Sequence, residues 1–336
     1  MSHDRHPSMN RRDFLKSSAA AAAVLSPLGR PLAARAAATA GAVPVVLIKT
    51  ADRAQGVKDV FRLLGAASPR GKSVLIKPNF NTADAAPGST HNDTLRQIVL
   101  ELKARGAGKI MLGESSGPPQ TKKVMEDKGI PALAQELGFA VINFEELGDD
   151  GWTHFDPPGS HWQNGFSLPK AVVESEYLVS TCCLKTHGFG GHYSMSMKLA
   201  VGLTPKSIRR ELHGKRDTDM RKMIAELNLG YAPRMIVMDG VEAFVDGGPS
   251  TGKKVEAGVV IGGTDRVAVD AVGVAVLKEL GSNETIMSRK VFDQDQIRRA
   301  VEIGLGVTGP AQIEIITADD AGRAYADKIR AILKEG

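Results

Sequence analysis

Four apolar runs in this sequence end in groups that can do chemistry. Val74-Leu75-Ile76 runs into Lys77, Pro78 and Asn79, and Ile110-Met111-Leu112 runs into Gly113 and Glu114. Leu178-Val179-Ser180-Thr181 leads through Cys182 and Cys183 to Lys185 and His187, and Val237-Met238 ends at Asp239. His187 is flanked by Gly188, Gly190 and Gly191. Glycines let the backbone approach a ligand, and a histidine there can act as a base or a metal ligand. A further segment carries Lys198, Gly202, Pro205, Arg209, Arg210 and His213. Lys198 and Gly202 are four apart and share a helical face, and Pro205 at a helix start would turn backbone N–H groups toward an anion.

These residue types suggest three jobs. Lys77, Asn79, Arg209 and His213 would bind an anionic substrate. Lys185, His187 and Lys198 would move protons next to a carbonyl. Glu114, Asp239 and Asp270 would hold a divalent metal. Asp270 lies inside an otherwise apolar helical run after Asp265, where a buried carboxylate is costly unless paired, so it is expected to meet a lysine, a histidine or a metal. Plainer roles compete: Lys77 as a surface lysine with a buried stem, Glu114 as a helix cap, the arginines as a solvated face. Cys182 and Cys183 read more simply as small buried hydrophobes than as a redox pair.

Positioning such groups requires an α/β scaffold. Short β-branched runs at 43–48, 74–77, 109–112, 140–143, 177–181, 235–238, 259–261 and 313–316 alternate with amphipathic stretches, among them 56–64, 93–105, 194–201, 206–212, 266–280 and 321–334. Several runs are apolar throughout, which suits parallel strands buried on both faces. The alternation predicts a mainly parallel sheet flanked by helices. In such sheets ligands sit at the carboxyl ends of the strands, where all four polar ends fall. Residues 144–170 break the rhythm and read as an excursion holding an antiparallel hairpin or a lid. Residues 43–320 form one α/β domain or two lobes, 43–176 and 177–320, with a C-terminal helix over 321–336.

The first residues set the compartment. Arg11-Arg12-Asp13-Phe14-Leu15-Lys16 precedes a short alanine-rich run and small-x-small sites such as Ala34-Arg35-Ala36. Together they read as a twin-arginine signal peptide over 1–36, too short and weakly apolar to anchor the chain. The expected partner is the twin-arginine translocase, and the expected location is periplasmic or extracytoplasmic. That route carries folded cargo, often with a cofactor already in place. The signal also explains the charge. Taking its six basic and two acidic residues from the 43 basic and 38 acidic of the whole chain leaves 37 and 36. Bulk charge therefore gives no argument for nucleic-acid binding. The two cysteines are adjacent and no Cys-x-x-Cys occurs, so neither a disulfide framework nor an iron–sulfur cluster is expected.

Taken together, Ile76-Lys77-Pro78-Asn79, Gly113-Glu114, Leu184-Lys185-Thr186-His187, Lys198-Leu199 with Gly202, His213, Val237-Met238-Asp239-Gly240, Gly248-Pro249, Asp265-Arg266-Val267-Ala268-Val269-Asp270 and Gly304-Leu305-Gly306 resemble the family known as domain of unknown function 362, over residues 43–316. The resemblance implies an α/β fold and no agreed activity. Some relatives carry an appended ferredoxin-like domain, which this sequence, ending at Gly336, is not expected to have. The run Lys198, Gly202, Pro205, His213 is also similar to a stretch of the nickel-pincer lactate racemases, where a lysine and a histidine hold the cofactor. Two functions are therefore expected to compete: a metal-assisted enzyme moving a proton on a small anion, in the manner of a racemase or epimerase, and a periplasmic binding or redox-assembly partner without catalysis.

Overall fold

The computed structural model of the protein describes residues 41–335; the expected signal peptide lies outside the described residues. The strands are β1 (Val43–Lys49), β2 (Val74–Lys77), β3 (Ile110–Glu114), β4 (Ala140–Asn143), β5 (Trp152–Phe155), β6 (Phe166–Pro169), β7 (Tyr177–His187), β8 (His192–Tyr193), β9 (Met235–Gly247), β10 (Gly252–Gly263) and β11 (Ile313–Ile316). The main sheet runs β11-β1-β10-β9-β7-β2-β3-β4, with β8 paired to β7. Along that path only β10 is antiparallel to its neighbours. The mainly parallel α/β sheet expected from the alternation is present, and it draws strands from both halves of the chain.

Side-chain alternation along the strands divides the core between the two faces. Val46, Ile48, Val74, Ile76, Val179, Val237 and Val260 pack on one face. The helices over them are α1 (Arg53–Leu63), α2 (Asn92–Ala104), α3 (Thr121–Asp127) and α4 (Ile130–Leu137). The short α5 (Lys170–Val173) follows β6. The opposite face is covered by α6 (Arg209–Gly214), α7 (Met220–Leu227), α8 (Arg266–Glu279), α9 (Glu284–Met287), α10 (Asp295–Glu302) and α11 (Asp320–Glu335). Leu47, Cys182, Leu184, Met238 and Ile261 meet α8 to α11, while Leu75 and Leu178 meet α6 and α7.

Two differences from the sequence expectation, in strand length and in helix type, bear on the site. Strands β7, β9 and β10 run to 11, 13 and 12 residues, because β9 and β10 form a long antiparallel hairpin that supports the end of β7. Their outer halves carry Asp246, Lys253 and Lys254, which dilute the apolar signal. The helix expected over 194–201 is a 3-10 segment, Met197–Leu203, and the one over 206–212 begins as 3-10 before becoming α6. The excursion over 144–170 does hold an antiparallel hairpin, β5 with β6. It packs against α7 through Trp162, Phe166 and Leu168.

Candidate anion cavity at the strand ends

The polar ends of β2, β3 and β7 meet the 3-10 segment 197–203 and α6 around a cavity of about 560 Å³. Lys77, Asn79, Glu114, His187, Lys198, Arg209 and His213 all line it. Seven of the ten singled-out residues thus share one space. Lys185, Asp239 and Asp270 do not line it.

Lys77 and Glu114 form its buried floor. Their charged atoms lie 2.6 Å apart, and both side chains are almost wholly covered. Glu114 also accepts from the Phe80 and Ser115 backbone N–H groups, at 2.8 Å each. Burial holds the Lys77 pKa below its ordinary value against the raising influence of Glu114. Gly202 sits directly over the pair. A Cβ there would fall 2.8 Å from Glu114 Oε1 and 2.9 Å from Lys77 Nζ, so only glycine lets the 3-10 segment lie this close.

Arg209 supplies a fixed positive charge. It is buried and donates to the Ser115 hydroxyl at 2.6 Å, the Thr204 carbonyl at 2.7 Å and the Ser115 and Ser116 carbonyls. All of these acceptors are neutral, so the guanidinium charge is left uncompensated by a direct carboxylate partner. Arg210 is exposed at the rim. Lys206, also on the wall, is paired with Glu145 at 2.5 Å. Glu114, already tied to Lys77, is the lone carboxylate among the lining residues. The cavity is therefore an electropositive space.

Lys198 and His187 face each other across Gly191. A Cβ at Gly191 would lie 2.8 Å from His187 Nδ1 and 2.9 Å from Lys198 Cε. Lys198 is only partly covered, and its amine has no hydrogen-bond or carboxylate partner among the described residues. Burial, aided by Lys185 and Arg209, lowers its pKa to about 7. Burial and the neighbouring Lys198 push the His187 pKa well below its ordinary value. At neutral pH His187 is an uncharged imidazole. Its Nδ1 accepts from the Phe189 N–H at 3.3 Å, which leaves the proton on Nε2. His213 Nδ1–H donates to the Arg209 carbonyl at 2.7 Å. Lys198 and His213 both line the cavity.

The remaining positions are corrections to the expected roles. Lys185 is fully buried and donates to the Gly88 carbonyl at 2.5 Å and the Pro249 carbonyl at 3.0 Å. It clamps together the 82–90 and 247–251 loops and does not reach the cavity. Asp239 alternates with Val237 and Val241 on the face covered by α1 and α2. There it pairs with Arg53 at 2.9 Å and accepts from Thr94 Oγ1 at 2.7 Å. Asp270 meets neither a lysine nor a histidine among the described residues. It accepts from the Ser196 and Met197 backbone N–H groups at 2.7 and 3.0 Å, fastening the start of the Lys198 segment to α8. Glu114, Asp239 and Asp270 are thus committed to donors at three separate places. Among the described residues no group of three or more His, Cys, Asp or Glu side chains is placed to share an ion. The three carboxylates do not fit a metal ligand set, and no step is assigned to a metal held by them. Cys182 and Cys183 are buried free thiols whose pKa values burial raises.

Sequence reasoning passed over Phe189, Lys206 and Ser250, which also line the cavity. A lone aromatic among three nearby glycines was the available signal for Phe189, which is 63% exposed at the mouth.

Asp270 yields a pH prediction. Burial raises its pKa to about 7, against the lowering effect of its two N–H donors. An acid whose pKa is higher folded than unfolded stabilises fully below the unfolded value, and that contribution fades as pH rises through the folded value. Relative to the parent, D270N should therefore gain stability steadily from about pH 4 to about pH 7, by up to about 1.4 kcal/mol per pH unit. Urea unfolding of both proteins across that window checks it. A stability difference that does not change with pH contradicts it.

An open α/β sheet with a cavity at the carboxyl ends of its strands has the form of a ligand-binding scaffold. Residues 74–275 match the model of the family described as domain of unknown function (DUF362), and the chain belongs to that family. Residues 8–26 match the twin-arginine translocation signal, so the protein is exported. Among the described residues no helix is long and apolar enough to cross a membrane. A thylakoid-associated protein of Synechocystis sp. is 26% identical over 214 residues. The match covers 62% of this chain and 64% of that protein, so the chain spans somewhat less than two thirds of that relative's length. The lactate racemase apoprotein of Thermoanaerobacterium thermosaccharolyticum aligns over 84% of this chain and 85% of its own, with 13% identity and a TM-score of 0.42.

Proposed function

We propose that this exported protein is an enzyme that removes and returns a proton beside the carbonyl carbon of a small organic anion, a racemase- or epimerase-like reaction. The observation that carries this reading is Lys198. It is a cavity-lining amine without an acceptor among the described residues, set beside a neutral imidazole in a cavity whose uncompensated charges are positive. A pure binding site for an anion would gain from keeping its lysine fully charged. Here burial and neighbouring cations bring the Lys198 pKa to about 7, where an amine can exchange protons at working pH.

Each residue then has a distinct task. Arg209 and Arg210 draw the anionic group into the cavity. Arg209 acts through its field, because its donors are already occupied, while Arg210 at the rim is available for direct contact. The His187 Nε2–H donates to the carbonyl oxygen as charge builds there; a neutral histidine is suited to this because it donates without carrying a full charge. Lys198 in its neutral form takes the proton from the adjacent carbon. Glu114 and Lys77 hold the floor on which the Lys198 segment rests.

Incubation of the mature protein in D2O with lactate, malate, mandelate and pyruvate tests the reading by proton NMR. Deuterium entering the carbon beside the carbonyl or carboxyl group of at least one of these supports it. Binding of these anions with no exchange in any of them overturns it in favour of a carrier.

A further inference from the structure

Lys198 has a property that proton transfer alone does not need. A base can work from behind a hydrogen-bonded relay, but this amine lines the cavity without an intervening acceptor. Its neighbours are cations or neutral dipoles: Arg209, the neutral His187, and Lys77 with its charge matched by Glu114. A desolvated lysine beside other cations is activated as a nucleophile toward carbonyl carbon. His187 lines the same cavity, and because its Nδ1 accepts from the Phe189 N–H, its Nε2–H is the ring donor left for a carbonyl oxygen.

We infer that Lys198 forms a covalent iminium with 2-oxo carboxylates, the carboxylate being held by the Arg209 and Arg210 side of the cavity. This rests on the anion-site reading above. The amine nitrogen bonds to the carbonyl carbon, and one N–H proton passes to the carbonyl oxygen to give a carbinolamine. A proton from solvent then lets that hydroxyl leave as water, and the C=N⁺ bond remains. No electrons are gained or lost. The iminium nitrogen has no lone pair, so the adduct is a separate reaction of the same amine and not a step of the proton transfer proposed above.

Incubation with pyruvate or phenylpyruvate plus cyanoborohydride tests the inference, because hydride transfer to the iminium carbon leaves a stable secondary amine. Intact mass and peptide mapping should place the reduced adduct on Lys198 and not on exposed Lys334. K198R, which keeps the charge, should take none. With a Lys198 pKa near 7, labelling at pH 8 should be about tenfold faster than at pH 6. The outcomes separate the two readings. If pyruvate or phenylpyruvate shifts the His187 and His213 ring signals in NMR but leaves no adduct on Lys198, the covalent step is overturned and the anion site stands. If neither compound binds or labels, both are overturned.

Discussion

K198A is expected to lower the rate of carbon-bound proton exchange by at least about 100-fold, the lower end of what a positioned acid or base contributes. Arg209 is buried and anchored independently by Ser115, Ser116 and Thr204, so the cationic wall survives the substitution. Affinity for the anion should change far less than the rate. K198R sharpens the contrast: it keeps the charge and much of the bulk, yet its guanidinium stays protonated and cannot accept the proton. It should bind and remain as slow as K198A. The pH dependence follows from the same residue. Burial sets the Lys198 pKa to about 7, so the parent rate should climb about tenfold per unit below that value and level off above it. A K198R enzyme with parental exchange rates would remove Lys198 from the chemistry.

E114A is expected to be the most destabilising single change at the cavity, by about 3–5 kcal/mol. Truncation leaves Lys77 buried without its countercharge and orphans the Phe80 and Ser115 N–H groups. Lys77 would respond by losing its proton, since burial already lowers its pKa. Replacing both partners with methionine should recover part of the loss, because no unpaired charge then remains. Recovery should be incomplete, because the two N–H groups still lack an acceptor. Urea unfolding of the parent, E114A and K77M/E114M measures all three. A loss below about 1 kcal/mol in E114A would mean that water reaches the pair and that the cavity floor is open.

The fold was largely legible because its inner strands are apolar on both faces. The fully buried inner strand over 74–77 was read with those bounds, and the partly exposed edge strands over 140–143 and 313–316 were read from their apolar and β-branched residues. Where one half of a strand is solvated the pattern fades. That is why the outer halves of β9 and β10, and with them the antiparallel hairpin beside β7, did not show in the sequence. The cavity was legible in part for the same reason. Polar groups at strand ends can be recognised from the sequence, but the face a strand-end residue takes depends on register. Lys77 falls on the side of the 197–203 segment, while Asp239 falls under α1 and α2 and finds Arg53. Asp270 shows a different limit. The sequence shows that a buried carboxylate needs partners, but backbone N–H groups 73 and 74 residues away in sequence serve as well as any charged side chain. Lys185 seemed equivalent to Lys198 by type, and only the packing of the 82–90 and 247–251 loops separates a clamp from a reactive amine.

The proposed chemistry requires Lys198 to carry a free amine that titrates near neutrality in an anion-binding cavity. Lysine side chains labelled with ¹³C at Cε, with the Lys198 signal assigned by its loss in K198R, report this directly. A midpoint near 7 that moves upward when lactate or pyruvate is added is the expected result, since a bound carboxylate favours the charged amine. A midpoint near the ordinary lysine value of 10.5, unmoved by either anion, would contradict it.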